Sequence, residues 1–167
     1  DMEMFYYGFC NKTIWPLFHY FINKTEYEEE LWESYQDVNQ RFFDRAASII
    51  EEGDTIWIHD YQLMLLPRLI REKFPSIKIG FFLHIPFPPL DLFLKLPWRF
   101  QILNALLAYD LVGFQTQRDK SNFMHCVRSL RKDIKVRGKG QVATAVVEGR
   151  TVRIGNFPIS IDFDEFA

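Results

Sequence analysis

Three short segments place side chains that can bind ligands or move protons directly after stretches rich in β-forming residues. They are His59-Asp60-Tyr61, His84-Ile85-Pro86-Phe87-Pro88 and Gln115-Thr116. A carboxylate accepts hydrogen bonds from hydroxyl groups or holds a histidine, and an imidazole donates to a hydroxyl or transfers a proton. The prolines stiffen the second segment and fix the direction of its carbonyl groups, which suits a preorganised site.

Each of these residues also has a purely structural interpretation. A histidine after a strand is more often part of the scaffold than of a site, and Asp60 is equally suited to cap a helix that starts near Leu63. The coincidence of polar groups at successive strand ends favours a shared site.

The elements around these segments alternate between strand and helix. Runs of β-forming residues predict strands at 55–58, 77–83 and 110–114. Helical spacing predicts helices at 63–74, 90–95, 98–108 and 117–131. This order is typical of an α/β fold with a parallel sheet and helices on both faces, in which ligands bind beyond the carboxyl ends of the strands.

Further elements are predicted on either side of this alternation. Aromatic residues crowd positions 5–22 and indicate short helical or loop segments. Thr25 and Glu28 form a capping box, which predicts a helix that runs to about Glu52. Its apolar stripe comprises Leu31, Tyr35, Val38, Phe42, Ala46 and Ile49. Glu148-Gly149 predicts a hairpin turn between strands at 142–147 and 150–154.

The composition excludes several classes of protein. The chain has 167 residues, of which 48% are hydrophobic and 17% aromatic, so it is not disordered and is long enough to bury a core. A net charge of −2 creates no field that attracts nucleic acid or an anionic membrane. The basic stretch Arg128–Lys139 is therefore better explained as a solvated helix end than as a nucleic-acid site.

Common signature motifs for other functions are absent. The sequence has no glycine-rich phosphate loop, no zinc-like Cys/His spacing and no nucleophile elbow. No apolar run reaches the ~18 residues that span a bilayer, and no signal peptide begins at residue 1. Two cysteines, Cys10 and Cys126, favour a reducing and hence cytoplasmic compartment. Two glycosylation-like triplets, at 11–13 and 23–25, are interpreted as chance.

Five blocks in a consistent order resemble one enzyme family. The blocks are Tyr6–Tyr20, Ile56–Tyr61 with Leu63-Met64, Ile79–Pro88 with Leu96-Pro97-Trp98-Arg99, Asp110–Thr116 and Gly155–Ile159. Together they resemble the trehalose-6-phosphate synthases, which are retaining glucosyltransferases of the GT-B architecture with two facing Rossmann-like domains. The resemblance implies transfer of glucose from a nucleotide sugar, usually UDP-glucose, to glucose 6-phosphate, with α,α-trehalose 6-phosphate as the product.

The resemblance also implies roles for individual residues. Tyr6 and Asp60 match positions that hold the acceptor, and Trp15 and Ile85 match positions linked to the choice of its α anomer. His84 matches a histidine near the donor sugar. Asp60 and His84 are thus the expected catalytic residues, and all five are expected to bind substrate. No metal or other cofactor, no nucleic acid and no membrane is implied, while a homo-oligomer is compatible with the sequence.

The resemblance covers the later part of the N-terminal, acceptor-side domain. Residues 1–167 are expected to form a single incomplete Rossmann-like domain, without the C-terminal donor-binding domain, and to be inactive by themselves. Gln62 stands where the family usually has His, and Ser160 where it usually has Gly, so the neighbouring loops are expected to differ slightly.

Two other functions stay open from the sequence. One is a glucosylglycerol-phosphate synthase, which uses glycerol 3-phosphate as the acceptor. The other is a non-catalytic regulatory homologue. Trp15 favours a ring-shaped acceptor, and the presence of Tyr6, Asp60 and His84 beside it argues against a regulatory homologue.

Overall fold

The computed structural model describes residues 2–138 and 140–160, and six β-strands run through this part of the chain. They are β1 (Thr55–His59), β2 (Lys78–Leu83), β3 (Leu111–Phe114), β4 (Lys135–Arg137), β5 (Val142–Val147) and β6 (Arg150–Asn156). They form one mixed sheet in the order β1-β2-β3-β6-β5-β4. The first four strands in this order are parallel, and β5 and β4 continue the sheet in antiparallel pairing.

Helices precede and connect the strands. They are α1 (Trp15–Phe18), α2 (Glu29–Ala46), α3 (Leu66–Lys73), α4 (Leu90–Phe93), α5 (Arg99–Leu106) and α6 (Gln117–Leu130). An irregular helical segment, Met2–Ile14, precedes α1 and is interrupted at Gly8, and short 3₁₀ turns lie at Ile22–Lys24 and Tyr61–Leu63. Within residues 2–138 and 140–160, none of the helices has the length and apolar character that crossing a bilayer requires.

The predicted α/β alternation is confirmed, and the sheet contains more than was predicted. β4 was not predicted, and β6 extends to Asn156 and pairs in parallel with β3, which makes the sheet mixed. The predicted hairpin is present, with positive φ angles at both Glu148 and Gly149. Lys139 of the basic stretch and residues 161–167 lie outside the described residues.

The prediction that α2 starts at a Thr25 capping box is wrong. The Thr25 hydroxyl donates to the carbonyl of Phe21, and the helix begins four residues later, at Glu29. The intervening chain is instead tied to the N-terminal segment, because Thr13 Oγ1 donates to the Glu26 carbonyl at 2.7 Å. The predicted apolar stripe holds at Leu31, Tyr35 and Val38, but the helix ends at Ala46, and Phe42 and Ile49 are exposed.

The helices that connect the parallel strands lie over one face of the sheet. The connections from β1 to β2, β2 to β3 and β3 to β6 all advance in the same direction, and right-handed crossovers of this kind place α3, α5 and α6 on the same side. That face carries a buried row in register, formed by Ile58, Phe81, Val112 and Ile154.

The opposite face of the sheet is open in the described residues. Its central row is Trp57, Gly80, Leu111 and Arg153, and the Trp57 side chain is 47% exposed. The Trp57 ring lies over Gly80, where any Cβ atom would overlap it. The sequence predicted helices on both faces; on this face, the side chains of Trp57 and Arg153 are exposed in the described residues.

Candidate functional site

Asp60 joins the carboxyl ends of β1 and β2. Its backbone N–H donates to the Phe82 carbonyl at 2.8 Å, and its Oδ1 accepts from the backbone N–H of His84 at 3.2 Å. Its backbone has φ 66° and ψ 178°, a conformation that non-glycine residues rarely adopt. Asp60 shares a positive φ angle with two other described non-glycine residues, Tyr20 and Glu148, and strained residues of this kind are concentrated at functional sites.

The rings of His59 and His84 meet beside this carboxylate. Nδ1 of His59 lies 2.9 Å from Nε2 of His84, and the ring planes are inclined by 25° with centroids 5.2 Å apart. One of these two nitrogens donates and the other accepts, so the pair holds a single proton between the rings. His59 was not among the predicted site residues, although its position directly before Asp60 was visible in the sequence.

Buried side chains of α2 hold the loop that carries Asp60. The hydroxyl of Tyr35 donates to the Tyr61 carbonyl at 2.7 Å and accepts from the Met64 N–H at 3.0 Å. Nδ2 of Asn39 donates to the Gln62 carbonyl at 3.2 Å. The bond from Asn39 uses the backbone carbonyl of Gln62, so it does not depend on the Gln62 side chain, which differs from the His that is usual in the family.

The segment after β2 is held from α6. The backbone N–H of Phe87 donates to Asp119 Oδ1 at 3.2 Å, and its carbonyl accepts from Asn122 Nδ2 at 2.9 Å. Asp119 is buried and is itself placed by Thr116, whose hydroxyl caps the start of α6. The backbone between His84 and Phe87 is therefore fixed at both ends, by Asp60 and by α6.

The third polar segment has a supporting role. The amide of Gln115 makes two 3.0 Å hydrogen bonds with the backbone of Ile159, which hold the chain that follows β6. Thr116 caps α6. The structure thus joins the polar groups after β1 and β2 directly, while those after β3 stabilise neighbouring segments.

Tyr6 lies in the N-terminal segment Met2–Ile14, which packs against the turn Tyr61–Leu63 that follows Asp60. The hydroxyl of Tyr61, the residue after Asp60, donates a hydrogen bond to Oδ1 of Asn11 in the same N-terminal segment at 3.2 Å. Burial is the main reason that the pKa of the Tyr61 phenol is raised to about 12. The electrostatic influence of Cys10, Asp60 and Tyr6 adds to this effect.

Trp15 and Ile85 occupy different surroundings. Trp15 begins α1, is 40% exposed and stacks on His19 with ring centroids 4.0 Å apart. Among the described residues, Trp15 makes no hydrogen bond or ring contact with Asp60 or His84. Ile85 is partly buried and packs against the core beside His84. Their predicted roles toward the acceptor stay predictions.

Three cavities lie away from Asp60 and His84. One of about 500 Å³ lies on the open face of the sheet, around Trp57 and Arg153. One of about 310 Å³ is lined by Arg71, Arg131 and Arg150, and one of about 300 Å³ lies between α2, α3 and α5. Within the described ranges, no group of three or more His, Cys, Asp or Glu side chains is arranged to hold a metal ion.

The two cysteines are predicted to be chemically inert in the folded chain. Both thiols are free and buried. The pKa of Cys10 is raised from its usual 9.0 to about 12 by burial and by Asp60, and burial raises that of Cys126 to about 12. We expect no reaction with a disulfide reagent at pH 8, and full reaction of both thiols in denaturant.

The same shifts predict a pH dependence of stability. Between pH 9 and 12 the unfolded thiols lose protons that the folded ones keep, so the free energy of unfolding is expected to fall as the pH rises.

For the reaction with the disulfide reagent, absorbance of the released thiolate, with and without guanidinium, measures the reactivity of the two cysteines. Rapid labelling of the native chain would contradict the buried placement.

Comparisons with known proteins identify relatives over the whole chain. A model of glycosyltransferase family 20 matches residues 1–167. The trehalose-6-phosphate synthase of Mycobacterium tuberculosis (strain ATCC 25618 / H37Rv) is 45% identical over 166 residues, which are 97% of this chain and 33% of the relative. The trehalose-6-phosphate synthase of Mycolicibacterium smegmatis is 46% identical over 172 residues, and the match covers 99% of this chain and 34% of the relative.

Solved structures of similar proteins share the fold. An α,α-trehalose-phosphate synthase (UDP-forming) from Burkholderia xenovorans, in complex with glucose-6-phosphate, has a TM-score of 0.89 and 34% identity, covering 100% of this chain and 37% of its own. An E. coli protein bound with UDP-2-fluoro glucose has a TM-score of 0.88 and 35% identity, with coverages of 100% and 36%. The chain spans about a third of the length of the curated relatives that it matches.

Proposed function

Because the chain belongs to glycosyltransferase family 20, we propose that it is part of an enzyme that transfers glucose from UDP-glucose to glucose 6-phosphate. The product is α,α-trehalose 6-phosphate, with retention at the anomeric carbon. The observation that carries the proposal is the junction at the ends of β1 and β2, where Asp60 and His84 are joined by a hydrogen bond. The names of the relatives support the choice of substrates.

The chemistry requires positioning more than a strong base. In a retaining transfer without a protein nucleophile, the acceptor hydroxyl approaches the face of the donor sugar from which the diphosphate departs. The bond from the anomeric carbon to the diphosphate breaks, the bond to the acceptor oxygen forms, and the departing diphosphate takes the acceptor proton. The protein then contributes orientation, charge stabilisation and exclusion of water.

Asp60 is suited to orient the acceptor. Its Oδ1 is used by the N–H of His84, while Oδ2 has no hydrogen-bond partner within the described residues and can accept from a sugar hydroxyl. Tyr6, in the N-terminal segment that packs against the turn after Asp60, adds a phenol to the acceptor side. Trp15 offers a half-exposed aromatic face that suits the apolar face of a sugar. We assign Ile85 to the same acceptor side and His84 to the donor sugar.

The proposal places this chain in the later part of the acceptor-side domain of a GT-B enzyme. The relatives are about three times as long, so we expect the 167-residue chain to need the remainder of the enzyme for turnover. A cytoplasmic location is part of the proposal and is supported by the two free thiols, Cys10 and Cys126. The relatives give no support to the glycerol-phosphate or regulatory alternatives.

An acceptor comparison tests the proposed function. The intact enzyme that contains this chain is incubated with UDP-glucose and either glucose 6-phosphate or glycerol 3-phosphate, and UDP release is followed in a coupled assay. We expect release with glucose 6-phosphate and none from the 167-residue chain alone. Release only with glycerol 3-phosphate would replace the proposed acceptor, and no release with either would favour a regulatory homologue.

A further inference from the structure

The register of the sheet directs the ring of His59 toward His84. His59 is the last residue of β1 and pairs with Phe82 of β2. Side chains alternate along an extended chain, so residues 82 and 84 point to the same side as His59. With β1 ending at this position, the His59 ring reaches past Phe82 and meets His84 at 2.9 Å.

Two consecutive residues therefore fix two different parts of His84. Asp60 holds its backbone N–H through Oδ1 at 3.2 Å, and His59 holds its ring through Nε2. The Phe82 ring, with its centroid 4.7 Å from that of His84, supports the same orientation from one side. A side chain held at its backbone and at its ring loses most of its rotamer freedom before a ligand arrives.

The contact between His59 and His84 differs from ordinary core packing because both rings are exposed. His59 and His84 are exposed in the described structure, so their hydrogen bond contributes little to folding. The Trp57 ring contacts the His59 ring edge-on, with ring centroids 5.6 Å apart. The contact thus organises the direction of an exposed ring next to the candidate site.

We propose that His59 is a positioning residue that orients the imidazole of His84 for its role at the donor sugar. Nδ1 of His84 has no partner within the described residues, so it is the ring atom that is available to a ligand. Because the facing nitrogens share one proton, His59 also restricts which tautomers His84 adopts while the bond is intact. The inference rests on the proposed function and adds to it a residue outside the ligand contacts.

The hydrogen bond itself is measured first. In the intact enzyme with ¹⁵N-labelled histidine, a bond between Nδ1 of His59 and Nε2 of His84 is expected to produce a scalar coupling between the two nitrogens. This readout requires neither activity nor substrate. Absence of the coupling in the folded chain would overturn the proposal, whatever the enzyme's activity.

Kinetics of the intact enzyme then test the consequence. His59→Leu is expected to lower kcat/KM about 10–100-fold, mainly through kcat, because a misplaced catalytic group slows the reaction more than it weakens acceptor binding. His59→Asn places an amide near the position of Nδ1 and is expected to restore most of the loss. His125→Leu, at an exposed histidine of α6, serves as the matched control and is expected to be unchanged.

The outcomes distinguish the inference from the proposed function. If His84→Ala is inactive while His59→Leu keeps wild-type kcat/KM, the positioning role is wrong and the proposed function stands. If His84→Ala itself keeps full activity, the assignment of His84 to the donor sugar is wrong. An equal loss in His59→Leu and His59→Asn would also overturn the positioning role, because the hydrogen-bonding atom would then not matter.

Discussion

Asp60→Asn is expected to lower the rate of UDP release by the intact enzyme about 100- to 1000-fold, the range found when one preorganised polar group at a reacting centre is lost. The amide oxygen can still accept from the N–H of His84, so the junction between β1 and β2 is retained. The negative charge facing the acceptor hydroxyl is lost. The measurement is initial UDP release with UDP-glucose and glucose 6-phosphate.

The control for this prediction is Asp37→Asn. Asp37 is an exposed carboxylate of α2 that pairs with Arg41 at 2.7 Å, and such surface pairs contribute little. Wild-type activity is therefore expected for this variant. Full activity of Asp60→Asn would show that the carboxylate charge has no part in the reaction, and the proposed role of Asp60 would be wrong.

Tyr35→Phe is expected to lower the free energy of unfolding by about 2–4 kcal/mol, because each buried backbone group left without a partner costs roughly 1–3 kcal/mol. The lost hydroxyl serves two such groups, the carbonyl of Tyr61 and the N–H of Met64. Burial raises the pKa of the Tyr35 phenol well above its ordinary value, so the hydroxyl keeps the proton that it donates. Urea unfolding of the 167-residue chain measures the change.

Tyr109→Phe provides the matched control. Tyr109 is equally buried, but its hydroxyl makes one long hydrogen bond, of 3.4 Å, to the Leu63 carbonyl. We expect a loss below about 1 kcal/mol for this variant. Equal losses for the two variants would mean that the Tyr35 hydroxyl does not hold the Asp60 loop. A larger loss for Tyr35→Phe should be accompanied by weaker activity of the intact enzyme.

Local patterns in the sequence were sufficient to predict the central strands and the polar segments that follow them. The segments after β1 and β2 were identified because an apolar run that ends in a polar group marks a strand end, and parallel strands end at the same edge. The resemblance added roles for Tyr6, Trp15, Asp60, His84 and Ile85 that spacing alone does not define. Those roles stay predictions until the proposed enzyme is assayed.

Local sequence patterns did not predict the contacts between segments that are distant along the chain. The capping box at Thr25 was a valid local signal, but the bond from Thr13 to Glu26 kept the chain extended until Glu28. The pairing of β6 with β3 and the support of Phe87 by Asp119 likewise join residues more than thirty positions apart.

The sequence by itself determined which residues form the central strands and which polar groups follow them, because both depend on side-chain preference over a few positions. Only the tertiary structure decided that His59 meets His84, that the groups after β3 support the fold, and that β6 pairs with β3. These features depend on strand register and on the direction of the crossovers, which are set when distant segments pack together.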